Sequence, residues 1–538
     1  MVKFSDYKEV CVLFGISLLV FTFGLAGQEV IGFESRFYLF ALEMYRHGLT
    51  WFPTTYLQPY PDYPGSSTWL IYLTACIFGG LNKLTAVLPT AVASALVVVL
   101  TYLIGALHQK RWGLIAALFL FLTIGFLKSA RSLSLDMYPA LMTVWCFYLV
   151  HAASVQHRPQ LIKWVFLLFF LGFAFRGPIG LVMPTGVVCV YYLLKRDIKH
   201  CVLVGFAALS LLILSTAGLL LLAKHVGGVG FVSDVIRMEV VGRIDNSYQP
   251  IYFYLTNGLM QYALSFPLAL FVMLGVFDSL VRSSSGKLAE RQFLIYLIGW
   301  MLVILLGMTI PGDKKIRYVL PMVPAAALLA AYVFVAPSDR SYFTTIRTML
   351  LRCFFFLPAF FALAAEAIFY YATKQHFLVA IDYHAVCIVM VLLQIAVLMS
   401  YRYQKQRSQV LQLTVMGLAV ISFIAFFLMV IEPIEQRIER ARAVIVNVEA
   451  ERIRQHAQLV FYKERPDGFA IKYLINMPQE EKPLFIESEE ALLQMAAPAY
   501  FVTSKTYFDA LPRSIAERFI VVFAGDMAHS HFVVFTQR

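Results

Sequence analysis

The side chains that could do chemistry in this sequence fall in five short polar stretches. GFESRFYLFALEMYRHG (32–48) opens a helix-like segment with Glu34 and Arg36. YPDYPGSSTW (60–69) sets Asp62 between two Tyr-Pro pairs, whose prolines restrict the backbone around it. A carboxylate held there could orient a cation or accept a proton. KSARSLSLDMYP (128–139) carries Lys128, Arg131 and Asp136 between two apolar runs. Ionisable groups at that depth are costly and face a cavity or a partner, and an Arg131–Asp136 ion pair is the simplest arrangement. FRGPIG (175–180) ends one apolar run with Arg176, and Pro178 starts the next. PGDKKIRYVLP (311–321) packs Lys314, Lys315 and Arg317 together. Each stretch also has a plainer reading: a solvated loop, a structural ion pair, or cations snorkelling to the interface. Taken together they outline a cavity of carboxylates and cations suited to a lipid phosphate.

Long apolar runs must position these stretches. The chain has 538 residues, of which 60% are hydrophobic, and a mean hydropathy of +0.73. Soluble domains are about 45–50% apolar. The runs fit helices crossing a hydrocarbon core roughly 30 Å thick. Candidate spans are 9–26, 86–107, 112–128, 135–152, 161–176, 178–194, 201–223, 257–279, 293–310, 319–336, 353–371, 380–400 and 410–431, about thirteen transmembrane helices. The first is read as a retained span rather than a signal peptide, since no A-x-A cleavage site follows it. The 67–80 run is shorter than a span and belongs at the interface or inside the protein.

Charge sets an orientation. The net charge is +12, and much of the Lys and Arg lies in short turns: HQKR (108–111), QHRPQLIK (156–163), KRDIKH (195–200), VRSSSGKLAERQ (281–292), SDRSYFTTIR (338–347) and YRYQKQR (401–407). The positive-inside rule makes these turns and the N-terminus cytoplasmic. Three larger pieces, 27–85, 224–256 and 432–538, then lie outside, and Lys314, Lys315 and Arg317 stand against the charge bias. No basic groove with interleaved aromatics is present, so nucleic acid is not an expected partner. The seven cysteines lie in or beside apolar segments without a CxxC, which argues against a thiol metal site or a disulfide framework.

Composition changes after residue 431. A charged, helical stretch (432–455) precedes β-like QLVFY (458–462), AYFVTS (499–504) and ERFIVVFAG (517–525). The expected organisation is a transmembrane domain (1–431) that includes the outer loop 27–85. A small α/β or α+β extracytoplasmic domain (432–538) follows.

At the polar stretches the sequence resembles the ArnT-like and protein-mannosyltransferase-like membrane glycosyltransferases of GT-C architecture, over residues 10–538. The family's Asp-Glu-x-Arg-Tyr with a later Glu-Met is similar to Phe33-Glu34-Ser35-Arg36-Phe37 and Glu43-Met44. Its Tyr-x-Glu-Lys-Pro-Pro before Trp-Leu is similar to Tyr60-Pro61-Asp62-Tyr63-Pro64 before Trp69-Leu70. The Arg then Asp-Met-Pro motif resembles Arg131 and Asp136-Met137-Tyr138-Pro139. Lys-Gly-Pro resembles Arg176-Gly177-Pro178, with Pro184 after it. The basic run before Tyr-x-x-Pro-x-x-Pro resembles Lys314, Lys315, Arg317, Tyr318, Pro321 and Pro324. Three departures stand out. Phe33 occupies the family's first acidic position, and the neighbouring Glu34 is turned about 100° away along a helix. Tyr63 replaces a lysine, and Asp62 replaces a glutamate.

The resemblance implies a mainly α polytopic membrane enzyme in the cytoplasmic (inner) membrane. Such an enzyme moves a sugar from a polyprenyl-phosphate-linked donor to lipid A, another envelope glycan or a protein, with inversion. Asp62 and Glu34 are the implied catalytic carboxylates. Arg36, Arg131, Arg176, Lys314, Lys315 and Arg317 are the implied donor-phosphate contacts, and Asp136, Tyr60, Tyr63 and Tyr318 support them. No cofactor is called for, and a divalent metal is left open. A lipid flippase or transporter and an inactive relative of the transferases are the competing readings; the transporter would need a passage that opens to both faces in turn.

Overall fold

The computed structural model describes residues 4–61, 65–238, 249–281, 288–337, 341–374, 381–404, 408–527 and 530–538. Asp62 and Tyr63 lie outside these residues, as do parts of the 281–292, 338–347 and 401–407 turns and of the 224–256 piece.

Among the described residues, ten helices are long and apolar enough to cross a membrane, and twelve if each of two bent pairs counts as one span. The expected thirteenth, Pro178–Leu194, is a shorter apolar helix of 17 residues. Length alone cannot distinguish a short span from a buried helix. The two bent pairs are Lys110–Phe121 with Ile124–Ala130, bent by 76°, and Phe253–Gln261 with Ser265–Phe277, bent by 117°.

The two breaks meet. Thr123 Oγ1 and Ser265 Oγ, one from each, are 2.6 Å apart and fully buried. Gly125 brings its backbone against the Gln261 carbonyl, where a Cβ would sit 2.6 Å from the oxygen. Non-helical backbone at membrane depth is tolerated where protein or a cavity surrounds it. Helix Val323–Val335 is the core of the bundle, with Ala325 through Val333 almost wholly buried. Trp112 donates to the Leu328 carbonyl at 2.7 Å and Trp300 to that of Pro321 at 3.0 Å, so these large side chains bury no orphan N–H.

The outer loop is folded. Helix Glu34–His47 is followed by a two-residue hairpin, β1 (Thr54–Thr55) with β2 (Gln58–Pro59). Its turn residues Tyr56 and Leu57 have φ of 55° and 63°. The Glu43 carboxylate accepts their backbone N–H groups at 2.7 and 3.2 Å, which offsets that strain. Trp69, in helix Ser66–Ile77, donates to the Thr50 carbonyl at 2.8 Å.

The C-terminal part carries a five-stranded mixed sheet in the order β4-β3-β5-β7-β6. Its strands are β3 (Gln458–Tyr462), β4 (Leu484–Ile486), β5 (Ala499–Ser504), β6 (Phe519–Met527) and β7 (Ser530–Gln537). β3 is parallel to β4 and β5, and β7 runs antiparallel to β5 and β6. Val460 and Tyr462 pack on one face, Leu459 and Phe461 on the other. A sheet covered on both faces has this near-continuous apolar pattern. The sheet part touches the outer loop: His47 Nε2 meets Glu480 at 2.8 Å, and Tyr56 stacks edge-on to Phe485.

Candidate active site

A cavity of about 600 Å³ opens at one end of the helix bundle. Its wall is assembled from seven places in the chain: Ile31–Glu34, Lys83, Gly125–Ser132, Gln261–Tyr262, Lys315–Arg317, Phe427 and Glu432–Ile438. The two helix breaks supply Gly125, Lys128, Gln261 and Tyr262. Phe427 starts a π-helical turn (Phe427–Ile431), a feature frequent at functional sites.

Five basic side chains line the cavity: Lys83, Lys128, Arg131, Lys315 and Arg317. Arg131 is buried and heavily engaged. Nε and Nη2 donate to the Glu432 carboxylate at 2.7 and 2.8 Å, Nη1 to Val20 O at 2.6 Å, and Nη2 to Phe23 O at 2.8 Å. The expected Arg131–Asp136 pair is therefore not formed. Asp136 instead bridges two other arginines, Arg176 Nε on Oδ1 and Arg317 Nε on Oδ2, each at 3.0 Å. Asp136 is the residue immediately before helix Met137–Val155.

Asp136 and Phe33 together fix Arg317. Its guanidinium carbon lies 4.4 Å from the centre of the Phe33 ring, in cation–π range. Phe33 thus carries an arginine on the face of its ring. Lys128 pairs with Glu435, and Lys315 lies 3.5 Å from Asp313.

Three expected phosphate contacts do not line the cavity. Lys314 is buried and donates to the Gln249 carbonyl at 3.0 Å. Arg36 lies 3.7 Å from the Asp467 carboxylate and 5.6 Å from the Tyr60 ring centre, tying the outer loop to the C-terminal part. Tyr318 is buried beside Arg317. Arg176 stands behind Asp136 and does not line the cavity.

Glu34 does line it. Both Glu34 and Lys83 are buried, and Glu34 Oε2 lies 3.7 Å from Lys83 Nζ. Burial pushes the Glu34 carboxyl up to about 7 against the opposing pull of Lys83, and Glu432 and Glu435 add to the rise. Lys83, Glu432 and Glu435 were not among the expected site residues. Lys83 carried a usable signal, since it too is a cation at the end of the bundle opposite the basic turns. The two glutamates sit in a charged stretch that reads as ordinary solvated helix. Among the described residues, no group of three or more His, Cys, Asp and Glu gathers as a metal site would.

Comparison with known proteins bears on the fold. The model of the Dolichyl-phosphate-mannose-protein mannosyltransferase family matches residues 62–220. An uncharacterized protein of Aquifex aeolicus (strain VF5) is 26% identical over 274 residues, 50% of this chain and 52% of that one. The matched part thus spans about half the length of that relative. A second uncharacterized protein of the same organism is 25% identical over 335 residues, 60% of this chain and 72% of that one. The crystal structure of ArnT from Cupriavidus metallidurans bound to undecaprenyl phosphate has a TM-score of 0.71 at 16% identity, covering 98% of both chains. Its apo state has a TM-score of 0.73 at 14% identity, again covering 98% of both.

Proposed function

We propose that this chain, which has the fold of the ArnT-like GT-C membrane glycosyltransferases, transfers a sugar from a polyprenyl-phosphate donor to an envelope acceptor. The observation that carries the proposal is the cavity at one end of the bundle. It holds five basic side chains within a fold shared along its whole length with an ArnT that was crystallised with undecaprenyl phosphate. A lipid phosphate needs cations at the membrane surface and room for its headgroup, and this cavity offers both.

In the proposed reaction an acceptor oxygen attacks the anomeric carbon. The bond from that carbon to the phosphate oxygen breaks, polyprenyl phosphate leaves, and the anomeric configuration inverts. Negative charge grows on the leaving phosphate, where fixed cations stabilise it most. Arg317, held by Asp136 and Phe33, is the best oriented of them, with Lys315 beside it. Asp62 would take the proton of a hydroxyl acceptor, and Glu34 would shape the charge of the cavity. Lipid A, another envelope glycan or a protein would serve as the acceptor.

We place the enzyme in the inner membrane with its N-terminus in the cytoplasm. Counting Pro178–Leu194 and both bent pairs gives thirteen spans, and the cavity and residues 432–538 then share the outer side. The division at residue 431 is part of the same reading.

The test uses the purified full chain in sealed lipid vesicles, a panel of radiolabelled polyprenyl-phosphate sugars, and envelope lipid, glycan and protein fractions. A labelled acceptor with inverted anomeric configuration is the expected product. Movement of the lipid-linked sugar across a vesicle without transfer would overturn the proposal in favour of a flippase.

A further inference from the structure

Lys83 is the first residue of helix Lys83–Ala106 and its side chain is only 4% exposed. Two physical rules disfavour a lysine there. The N-terminus of a helix carries partial positive charge, so a cation is at the unfavourable end. A buried ammonium also needs hydrogen-bond acceptors to replace water. Among the described residues its ion partner is Glu34 Oε2 at 3.7 Å, beyond the 2.7–3.2 Å of a made N–H···O bond. Glu34 Oε2 is itself buried with no hydrogen-bond partner. Helix start-up does not explain the lysine, because the Asn82–Thr85 capping box performs it: Thr85 N donates to Asn82 Oδ1 at 3.1 Å, and Asn82 N to Thr85 Oγ1 at 2.9 Å.

The pair is loose, buried and set in the cavity wall, while Lys128 and Arg131 have close carboxylate partners. We infer that Lys83 is a further phosphate-contacting residue of this site, with Glu34 as the ion partner it holds until a phosphate oxygen arrives. Lys83 binds the phosphate group and does not itself react. This inference rests on the proposed use of a polyprenyl-phosphate donor.

Removing Lys83 alone would strand the Glu34 carboxyl, so the informative comparison is Glu34→Gln against Lys83→Met/Glu34→Gln. Both lack the ion pair and they differ only at Lys83. The readout is the undecaprenyl phosphate concentration that gives half-maximal thermal stabilisation of the purified full chain, with undecaprenol as control. Glu34→Gln should bind at least as tightly as the parent. The double variant should need roughly tenfold more ligand or beyond, the usual cost of losing a hydrogen bond to a charged group. Lys83→Arg should stay within a few fold of the parent. Equal affinity of Glu34→Gln and the double variant would overturn the assignment while leaving the donor class intact. An equal loss with undecaprenol would place the effect on the lipid tail or the fold and would also overturn it. A parent chain stabilised no better by the phosphate than by undecaprenol would overturn both this assignment and the donor class.

Discussion

Asp62 and Glu34 are the two carboxylates that the proposed reaction draws from the polar loop. Asp62 sits between prolines, which lowers the entropy cost of holding it near a ligand. Asp62→Asn should cut turnover by roughly 10²–10⁴-fold, the range of a positioned acid–base group. Glu34→Gln should cost less. Transfer of labelled sugar by purified variants, read beside a thermal melt, separates the two. Near-normal transfer by folded Asp62→Asn would remove Asp62 from the chemistry. Glu34 has a separate signature. Its carboxyl is raised from 4.5 to about 7, mainly by burial. A carboxyl that holds its proton more tightly when folded contributes stability that is fully present below pH 4.5 and is lost as pH rises through 7. The melting temperature should therefore fall between pH 5 and 8, and Glu34→Gln should flatten that fall. An identical slope in both proteins would show that other groups set it. The sequence exposed Glu34 and Arg317 as charged positions. It did not show that Phe33 would hold Arg317 on its ring, because an aromatic in an acid's place reads as a loss until its neighbours are known.

Helices here are pinned to one another by charge pairs that join distant parts of the chain. Arg131 and Glu432 are 301 residues apart in sequence and share two hydrogen bonds. Sequence reasoning paired Arg131 with its neighbour Asp136. Proximity along the chain misled, because a buried cation takes its partner from whichever helix end packs against it. Arg131→Ala should destabilise by about 3–5 kcal/mol, since Glu432 is left buried without its counter-charge. Arg131→Ala/Glu432→Ala should lose less than the sum of the two single changes. Strict additivity in denaturant melts would show that the two are energetically independent. The basic run separates in the same way. Lys315→Ala should raise the donor concentration needed for half-maximal transfer, because Lys315 faces the cavity. Lys314→Ala should lower the melting temperature instead, because Lys314 holds the Gln249 carbonyl. The opposite assignment of the two effects would reverse their roles. β3 and β5 were legible to the residue, since short runs of Val, Phe and Tyr bounded by polar residues have few other stable uses.

For the whole molecule, hydropathy located the apolar segments but could not show that two of them break at the cavity. Both breaks depend on tertiary contacts, Thr123 with Ser265 and Gly125 with Gln261, that no local pattern encodes. The cavity is lined by the two helix breaks and by residues beside the ends of other helices, such as Lys83 and Lys315. The basic turns come from the other ends, where Lys110 meets Glu9 at 3.0 Å and His108 meets His151 at 2.9 Å. Reporter fusions after residues 110, 197 and 285 should read cytoplasmic, and one after 480 extracytoplasmic. A cytoplasmic reading at 480 would put the cavity on the wrong side for the proposed donor.

Helical structure runs without a gap from Ser408 through the π turn to Glu439, so the last span continues past the change in composition at residue 431. Glu432 sits just beyond that change and holds Arg131 and Gln28, while Glu29 holds Arg440 and accepts the Ala441 and Arg442 amides. The first residues after 431 are thus tied to the bundle and to the outer loop. These turns are keystones of the bundle. Chimeras that swap the sheet part would have to join after these turns, and a swap at the compositional border would leave the bundle without its Arg131 partner.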